Sequence, residues 1–263
     1  MKPNLSISRQ QAIDLGVCTV DDFWIEGEAL TQEEFSEKKN LVIKTDLFIN
    51  QKHMSSDPAL SERVIYGPPP NRIPDGITIW GNVELRSYGA SSLPHMRIHG
   101  KLSISDCRNL TDIRNVTVGG GVFILGDNGL GSPKTPITKL PDPLVCAALY
   151  IYGCPIKELP KTLLIREELR CNDIEIVNLP SLEDVGSNIA LIDCKKLKSL
   201  PVNTHVNGNL ELRGCTSLET LPRGMIVKGN LDLRGCTSLK SLPSDLKVMG
   251  KILRTQSFLG DPD

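Results

Sequence analysis

From Val206 to Pro243 the chain states one unit almost twice. V-N-G-N-L-E-L-R-G-C-T-S-L-E-T-L-P is followed, after R-G-M-I, by V-K-G-N-L-D-L-R-G-C-T-S-L-K-S-L-P. Gly208 and Gly229, Cys215 and Cys236, and Leu221 and Leu242 are each 21 residues apart. A fixed period in the twenties predicts a solenoid, because one such unit cannot bury its own apolar edge and stacked units can.

The rest of the chain carries the same unit in weaker form. Ile73-Pro74, Leu93-Pro94, Leu140-Pro141, Leu159-Pro160, Leu179-Pro180, Leu200-Pro201, Leu221-Pro222 and Leu242-Pro243 punctuate it. The wide gap between Pro94 and Pro141 hides one more coil, since L-S-I-S-D-C-R-N-L-T-D-I at Leu102 to Ile113 matches Leu210 to Leu221 in residue class. The surplus, Gly126 to Pro136, is rich in Gly and Pro and reads as an inserted loop. About eight coils are expected.

Within a coil, Val206, Gly208, Leu210 and Leu212 alternate with Asn207, Asn209, Glu211 and Arg213, which predicts one strand with one buried face. Gly208 suits a turn or a close approach of backbones, and the neighbouring Asn209 and Asn230 suit a turn. Cys215, Leu218 and Leu221 are expected to point inward from a return segment too short for a helix. Pro222, which has no N–H to donate, should turn the chain on the far side.

Residues 1–70 lack the repeat. Ser8 with R-Q-Q-A-I-D-L-G reads as a short helix ended by Gly16. Thr31 and Glu34 form a capping-box pattern, with Lys38 and Lys39 expected in the last turn. Leu41 to Ile49 reads as a first strand, Ser55 to Pro58 as a polar break, and Pro68, Pro69 and Pro70 as a rigid entry. The expected organisation is a small helical cap or module over 1–70, a solenoid over 71–253 and a tail over 254–263. A cap is needed because an open solenoid end exposes apolar surface and an unpaired strand edge.

Composition narrows the function classes. Apolar residues make up 40% of the chain and aromatics only 4%, so Leu, Ile and Val must build the core. The formal net charge of -1 provides no global field for nucleic acid or an anionic membrane, and neither partner is expected. No apolar run approaches the ~20 residues a spanning helix needs. The N-terminus has no apolar signal region, which points to a reducing cytoplasm. Of eight cysteines, Cys154, Cys171, Cys194, Cys215 and Cys236 follow the repeat and no CxxC pair exists, so they read as buried core groups and not as ligands. His95 and His99 form H-x-x-x-H, which would hold a metal only on a helix, and none is expected there. No metal or cofactor is anticipated.

The wording L-x-L-x-x-C-x-x-L-x-x-L-P at Leu210 to Pro222, repeated at Leu231 to Pro243, resembles the leucine-rich repeat in its short bacterial form. It is similar to arrays of bacterial and phage-encoded proteins and to the repeats of type III effectors. The resemblance covers about residues 73–253 and implies a mainly β or α/β solenoid with a parallel sheet on its concave face, where most relatives bind proteins. The V-x-G-N-L spacing departs from the usual repeat by one residue, the coil around Leu169 and Cys171 is shortened, and Gly119-Gly120-Gly121 is unusual.

The resemblance also implies which residues face a partner. The central outward row is Glu84, Ser103, Phe123, Tyr150, Arg170, Ala190, Glu211 and Asp232. The next row is Arg86, Ser105, Leu125, Tyr152, Asn172, Ile192, Arg213 and Arg234. Tyr and Arg are frequent interface anchors, so the partner-binding set is Phe123, Tyr150, Tyr152, Arg170, Ile192, Arg213 and Arg234. The alternative for the aromatics is that they cover the sheet and pack on the inserted loop. For Arg213 and Arg234 the alternative is cross-strand pairing with Glu211 and Asp232.

No nucleophile elbow, P-loop or HExxH occurs, so a monomeric, non-enzymatic protein-recognition scaffold is the leading reading. It would act in its own cytoplasm or enter a host cell by a route independent of a signal peptide. The competing readings are an enzyme working outside the repeats and a carbohydrate-binding module. Effectors of the ubiquitin-ligase type carry a large C-terminal catalytic domain, and only about 20 residues follow Pro243 here. Cys18 is the one thiol outside the repeats.

Overall fold

A computed structural model describes residues 23–25, 28–44, 46–50, 64–67, 73–126, 135–183 and 185–255. The expected Ser8 helix, Cys18, Ser55 to Pro58, Pro68 to Pro70, most of the Gly126 to Pro136 loop and the last eight residues lie outside that set. Among the described residues the fold is a mainly β, parallel solenoid of about 8 turns with almost no helix. It divides into two units, Met1–Lys139 and Leu140–Asp263.

The first described elements of the first unit are an antiparallel pair, β1 (Phe23–Ile25) and β2 (Glu28–Leu30), and a six-residue helix, α1 (Gln32–Glu37). The capping box is present: Thr31 Oγ1 accepts from the Glu34 N–H at 3.2 Å, and the Glu34 carboxylate accepts from the Thr31 N–H at 2.8 Å. The helix ends at Glu37, so Lys38 is an extended C-cap and the expected basic last turn is missing.

The coils follow as β3 (Val42–Ile43), β4 (Asp46–Asn50), β5 (Val64–Gly67), β6 (Ile77–Ile79), β7 (Val83–Arg86), β8 (Met96–Ile98), β9 (Leu102–Ser105), β10 (Val116–Val118) and β11 (Val122–Leu125). They stack as two parallel sheets. A short one runs β3-β6-β8-β10, and a long one runs β5-β4-β7-β9-β11. Val42 and Ile43 pair with Thr78 and Ile79, and Leu47 to Asn50 pair with Val83 to Arg86. Stacking thus starts at Val42, ahead of the expected boundary at residue 71, and Leu41 to Ile49 supplies two strands where one was expected.

The second unit repeats the plan with β12 (Leu144–Cys146), β13 (Leu149–Tyr152), β14 (Leu163–Ile165), β15 (Glu168–Asn172), β16 (Asn188–Ile192), β17 (His205–Val206), β18 (Leu210–Glu211), β19 (Ile226–Val227), β20 (Leu231–Asp232), β21 (Lys247–Val248) and β22 (Ile252–Leu253). Its long sheet is β13-β15-β16-β18-β20-β22, and β12-β14 and β17-β19-β21 form the shorter ladders.

The alternation from Val206 to Leu212 is therefore not one strand. It breaks at Asn207-Gly208 into β17 and β18, on two sheets. The break is where backbones come closest. The Gly229 N–H donates to the Gly208 carbonyl at 2.9 Å, and a Cβ on Gly229 would stand 2.7 Å from that carbonyl. Beside this column runs an asparagine ladder. Asn188 Oδ1 accepts from the Asn209 N–H, Asn209 Oδ1 from the Asn230 N–H and Asn230 Oδ1 from the Lys251 N–H, each at 2.8 Å. The turn role expected of Asn209 and Asn230 is thus a bond between coils.

A second corner follows seven of the long-sheet strands (β7, β9, β13, β15, β16, β18 and β20) with a residue at positive φ: Ser87, Asp106, Gly153, Asp173, Asp193, Gly214 and Gly235. Gly214, at φ 76°, costs no Cβ strain there, and Asp is among the few other residues that tolerate this region. The next residue turns inward, as Cys107, Cys154, Cys194, Cys215 and Cys236 do. Leu110, Leu197, Leu218 and Leu239 then fill the return segment. Leu-Pro opens the last turn, where Leu246 N–H donates to the Pro243 carbonyl at 3.1 Å. Cys171 breaks the expected series. It lies within β15 in register with Ile151 and Leu191, and Ile174 takes the corner place.

All seven described cysteines are free and buried. Five of the thiols, those of Cys107, Cys154, Cys194, Cys215 and Cys236, donate to main-chain carbonyls, as Cys236 Sγ does to Leu212 at 3.0 Å and Cys215 Sγ to Leu191 at 3.1 Å. Burial pushes Cys107 and Cys146 up to about 11, and Cys154 and Cys236 up to about 12. The Cys215 thiol is raised by its hydrogen bond with Cys194 and then by burial. An unfolded chain ionises these thiols near 9.0 while the folded chain keeps them protonated. Their contribution is fully present below about pH 9 and is lost as pH rises through 11 to 12. Urea midpoints should fall between pH 8.5 and 10.5, and less steeply for Cys107→Ala/Cys236→Ala. Identical slopes for the two proteins would refute this.

Candidate functional site

The outward face of the long sheet is set by strand alternation, since Leu149, Leu169, Ile189, Leu210 and Leu231 all point into the core. Between them the register aligns Tyr150, Arg170, Ala190, Glu211 and Asp232 in one row of the second unit. Tyr152, Asn172 and Ile192 align in the next. Arg213 and Arg234 continue that column past the ends of β18 and β20. The Asp193 N–H donates to the Arg213 carbonyl at 2.8 Å, and the Gly214 N–H to the Arg234 carbonyl at 2.9 Å.

Three members of the first row are tied together. The Tyr150 hydroxyl donates to Glu168 Oε2 at 2.9 Å. Glu168 Oε1 accepts from Arg170 Nε at 3.2 Å and Nη2 at 3.1 Å. Across the strand carrying Ala190, Arg170 Nη1 lies 3.7 Å from Glu211 Oε2. Ala190 has too small a side chain to part them, so one guanidinium bridges strands that are not neighbours. Burial, the bond to Glu168 and its negative charge raise the Tyr150 phenol above its usual range. It therefore remains a neutral donor at physiological pH.

The arginines at the C-terminal end of the row differ from expectation. Arg234 clamps Asp232 of its own coil, two residues before it, with Nε 2.9 Å from Oδ1 and Nη2 2.5 Å from Oδ2, where cross-strand pairing was the alternative. The Arg234 bond holds the Asp232 carboxyl below its ordinary value, and the Arg213 charge adds to this. Arg213 itself is exposed. Its own-strand acid, Glu211, is turned toward Arg170.

Two expected contacts stand elsewhere. Ile192 is only 3% exposed and is a core residue; a partner arriving on this face would not reach it. Phe123 belongs to the first unit, where it is half-buried, pairs in register with Ser103 and has the Lys101 ammonium 5.8 Å from its ring centroid. Glu84 and Arg86 there form another within-strand ion pair at 2.6 Å.

Glu168 escaped the sequence reading, although it holds both Tyr150 and Arg170. The signal was the repeated acid-x-Arg wording at Glu84 to Arg86, Glu168 to Arg170, Glu211 to Arg213 and Asp232 to Arg234. Spacing two along a strand puts both side chains on one face. Asn172 Oδ1 is buried with no hydrogen-bond partner.

His95 and His99 flank β8 rather than lying on a helix. His95 Nδ1 sits 3.4 Å from Asp75 Oδ1, and the His99 ring stacks on Trp80. Among the described residues there is no group of three or more side chains suited to a metal, and no helix long and apolar enough to cross a membrane. Comparison with protein-family models, curated proteins and solved structures finds no match.

Proposed function

We propose that this chain is a protein-recognition scaffold of the leucine-rich-repeat kind, using the outward face of the long sheet in the second unit. The observation that carries the reading is the Tyr150–Glu168–Arg170–Glu211 network. It holds a tyrosine and an arginine, both half-buried, in fixed orientation on a sheet built from regularly stacked coils. Side chains already ordered lose less conformational entropy on binding. Tyr152, Arg213 and Arg234 extend the surface, and Phe123 offers an aromatic contact in the first unit. Residues on a sheet face can change without disturbing the core leucines beneath them, which suits a recognition role in an adaptor or a bacterial effector. Action in the cytoplasm, or in a host cell reached without a signal peptide, is part of the same proposal.

The test is capture from bacterial and from eukaryotic lysate, comparing the full chain with Tyr150→Ala/Tyr152→Ala/Arg170→Ala. A specific protein should be retained by the unchanged chain and lost with the variant, whose circular dichroism should remain that of a folded β protein. Anchor residues of this type are each worth about 2 kcal/mol or more, so the variant should bind at least 100-fold more weakly. Capture that survives the triple change in full would move the working surface away from the Tyr150–Arg170 row.

A further inference from the structure

The long sheet and the β17-β19-β21 ladder both end in the last described coil, and both end open. β22 pairs only with β20, and β21 only with β19. The Leu231 and Leu233 N–H groups donate to the Lys251 and Leu253 carbonyls at 2.8 Å each, and the Met249 N–H donates to the Val227 carbonyl at 2.9 Å. Backbone groups alternate in direction along a strand. The N–H and carbonyl groups of Val248 and Ile252 therefore point the other way, off the free edge. Between them the glycine column stops as well. Gly229 donates to Gly208 at 2.9 Å and Gly250 to Gly229 at 3.0 Å, which leaves the Gly250 carbonyl as the next rung. The same edge is apolar: Met249 is 72% exposed, Ile252 39% and Leu253 38%.

Charge defines what can cover it. Residues 240–255 carry Lys240, Lys247, Lys251 and Arg254 against one acid, Asp245, which accepts from the Gly224 N–H at 2.9 Å. Lys228, Lys247 and Lys251 are exposed and meet no carboxylate among the described residues. Lys251 also stands at the ladder place of Asn188, Asn209 and Asn230, and an ammonium has no lone pair to accept the next N–H. Lysine on an edge strand repels a second copy of that edge. The same charge attracts a strand that carries acids. An anionic lipid surface would match the lysines but would leave the Val248, Gly250 and Ile252 backbone groups unpaired.

We propose that this end of the solenoid captures an acidic segment of a partner protein, which adds to β21 and β22 as a further parallel strand pair. The register of the existing coils gives its pattern. Acids fall opposite Lys247 and Lys251, and apolar residues opposite Val248 and Ile252. Glycine falls opposite Gly250, since a Cβ on Gly250 itself would stand 2.7 Å from the Gly229 carbonyl oxygen and the next rung meets the same constraint. The segment thus reads acid, apolar, any residue, glycine, acid, apolar. Main-chain bonds to Val248, Gly250 and Ile252 supply affinity, and the two lysines select the partner. The capture does not depend on the Tyr150–Arg170 row.

The experiment uses the full chain and a fluorescein-labelled peptide, E-V-L-G-E-L-T, followed by anisotropy. Binding is expected, and added salt should weaken it. The lysine peptide K-V-L-G-K-L-T should bind about tenfold more weakly or worse, and Lys247→Glu/Lys251→Glu should reverse the order of the two peptides. Replacing the peptide glycine by sarcosine removes the N–H aimed at the Gly250 carbonyl without touching charge. It should weaken binding about tenfold. This control alters only the peptide, so it stands whatever the stability of the variant, whose fold circular dichroism checks. No binding at millimolar peptide would overturn the proposal. So would equal binding of the glycine and sarcosine peptides, since charge alone would then explain capture. Binding of phosphatidylserine vesicles that the peptide does not displace would give the edge to a lipid surface instead, and dimers in sedimentation that the peptide does not dissociate would give it to a second copy. Peptide binding that appears only after deletion of residues 256–263, which carry Asp261 and Asp263, would give it to the chain's own tail. Each of these results overturns the partner-protein assignment.

Discussion

Gly229→Val is expected to unfold much of the second unit, with a stability loss at or above about 3 kcal/mol, the upper end for overpacking. The argument is steric. A Cβ at this position would stand 2.7 Å from the carbonyl carbon and oxygen of Gly208 and 2.5 Å from Asn209 Oδ1. Overpacked cores usually relax by moving a side chain, but here the obstacle is the backbone of the coil below. Relief requires parting two coils, which breaks the Gly229 N–H bond to Gly208 and strains the asparagine ladder at Asn230. Urea unfolding measures the effect. Gly89→Ala serves as the control, because a Cβ there meets nothing within 4 Å; it should stay within about 0.5 kcal/mol of the parent. Equal stability of the two variants would remove close backbone approach as the reason for the glycine column.

Leu210→Ala should cost about 2–5 kcal/mol, the range for removing a buried leucine side chain. Leu210 is fully buried and pairs in register with Ile189 on one side and Leu231 on the other. The cavity therefore opens toward both neighbouring coils. Stability in a stacked array is close to a sum of coil and interface contributions, so one deletion weakens two interfaces. Ile252 occupies the equivalent place in the last described coil and is exposed. Ile252→Ala should cost well under half as much, as read from urea midpoints. A similar cost at both positions would show that stacking on both sides is not what makes Leu210 valuable.

The outward rows were readable from the sequence because strand alternation and the 21-residue repeat together fix which residues line up. Tyr150, Arg170 and Glu211 fall in one row as the pattern requires. What those side chains do was not readable. Whether Arg170 turns to Glu168, Glu211 or a partner depends on reach and burial, and the reach to Glu211 exists because Ala190 lies between them. Ile192 shows the opposite failure. Its alternation is that of a surface residue, yet its neighbours cover it, and cover by neighbouring side chains leaves no trace in periodicity.

The solenoid, its coil number and the inward set of Leu, Ile, Val and Cys were determined by the sequence alone, because a unit with one apolar edge has no other way to bury it. Only the tertiary structure decided where each coil bends. V-x-G-N-L carries the same alternation whether it is one strand or two. The close contact of Gly208 with Gly229, and the bonds from each asparagine to the coil above, exist only once coils are stacked. The same holds for the Trp80–His99 stack, whose members are far apart in the chain and meet because parallel register superposes the ends of β6 and β8. Periodicity fixes which face a side chain takes; contact between coils fixes what it meets there.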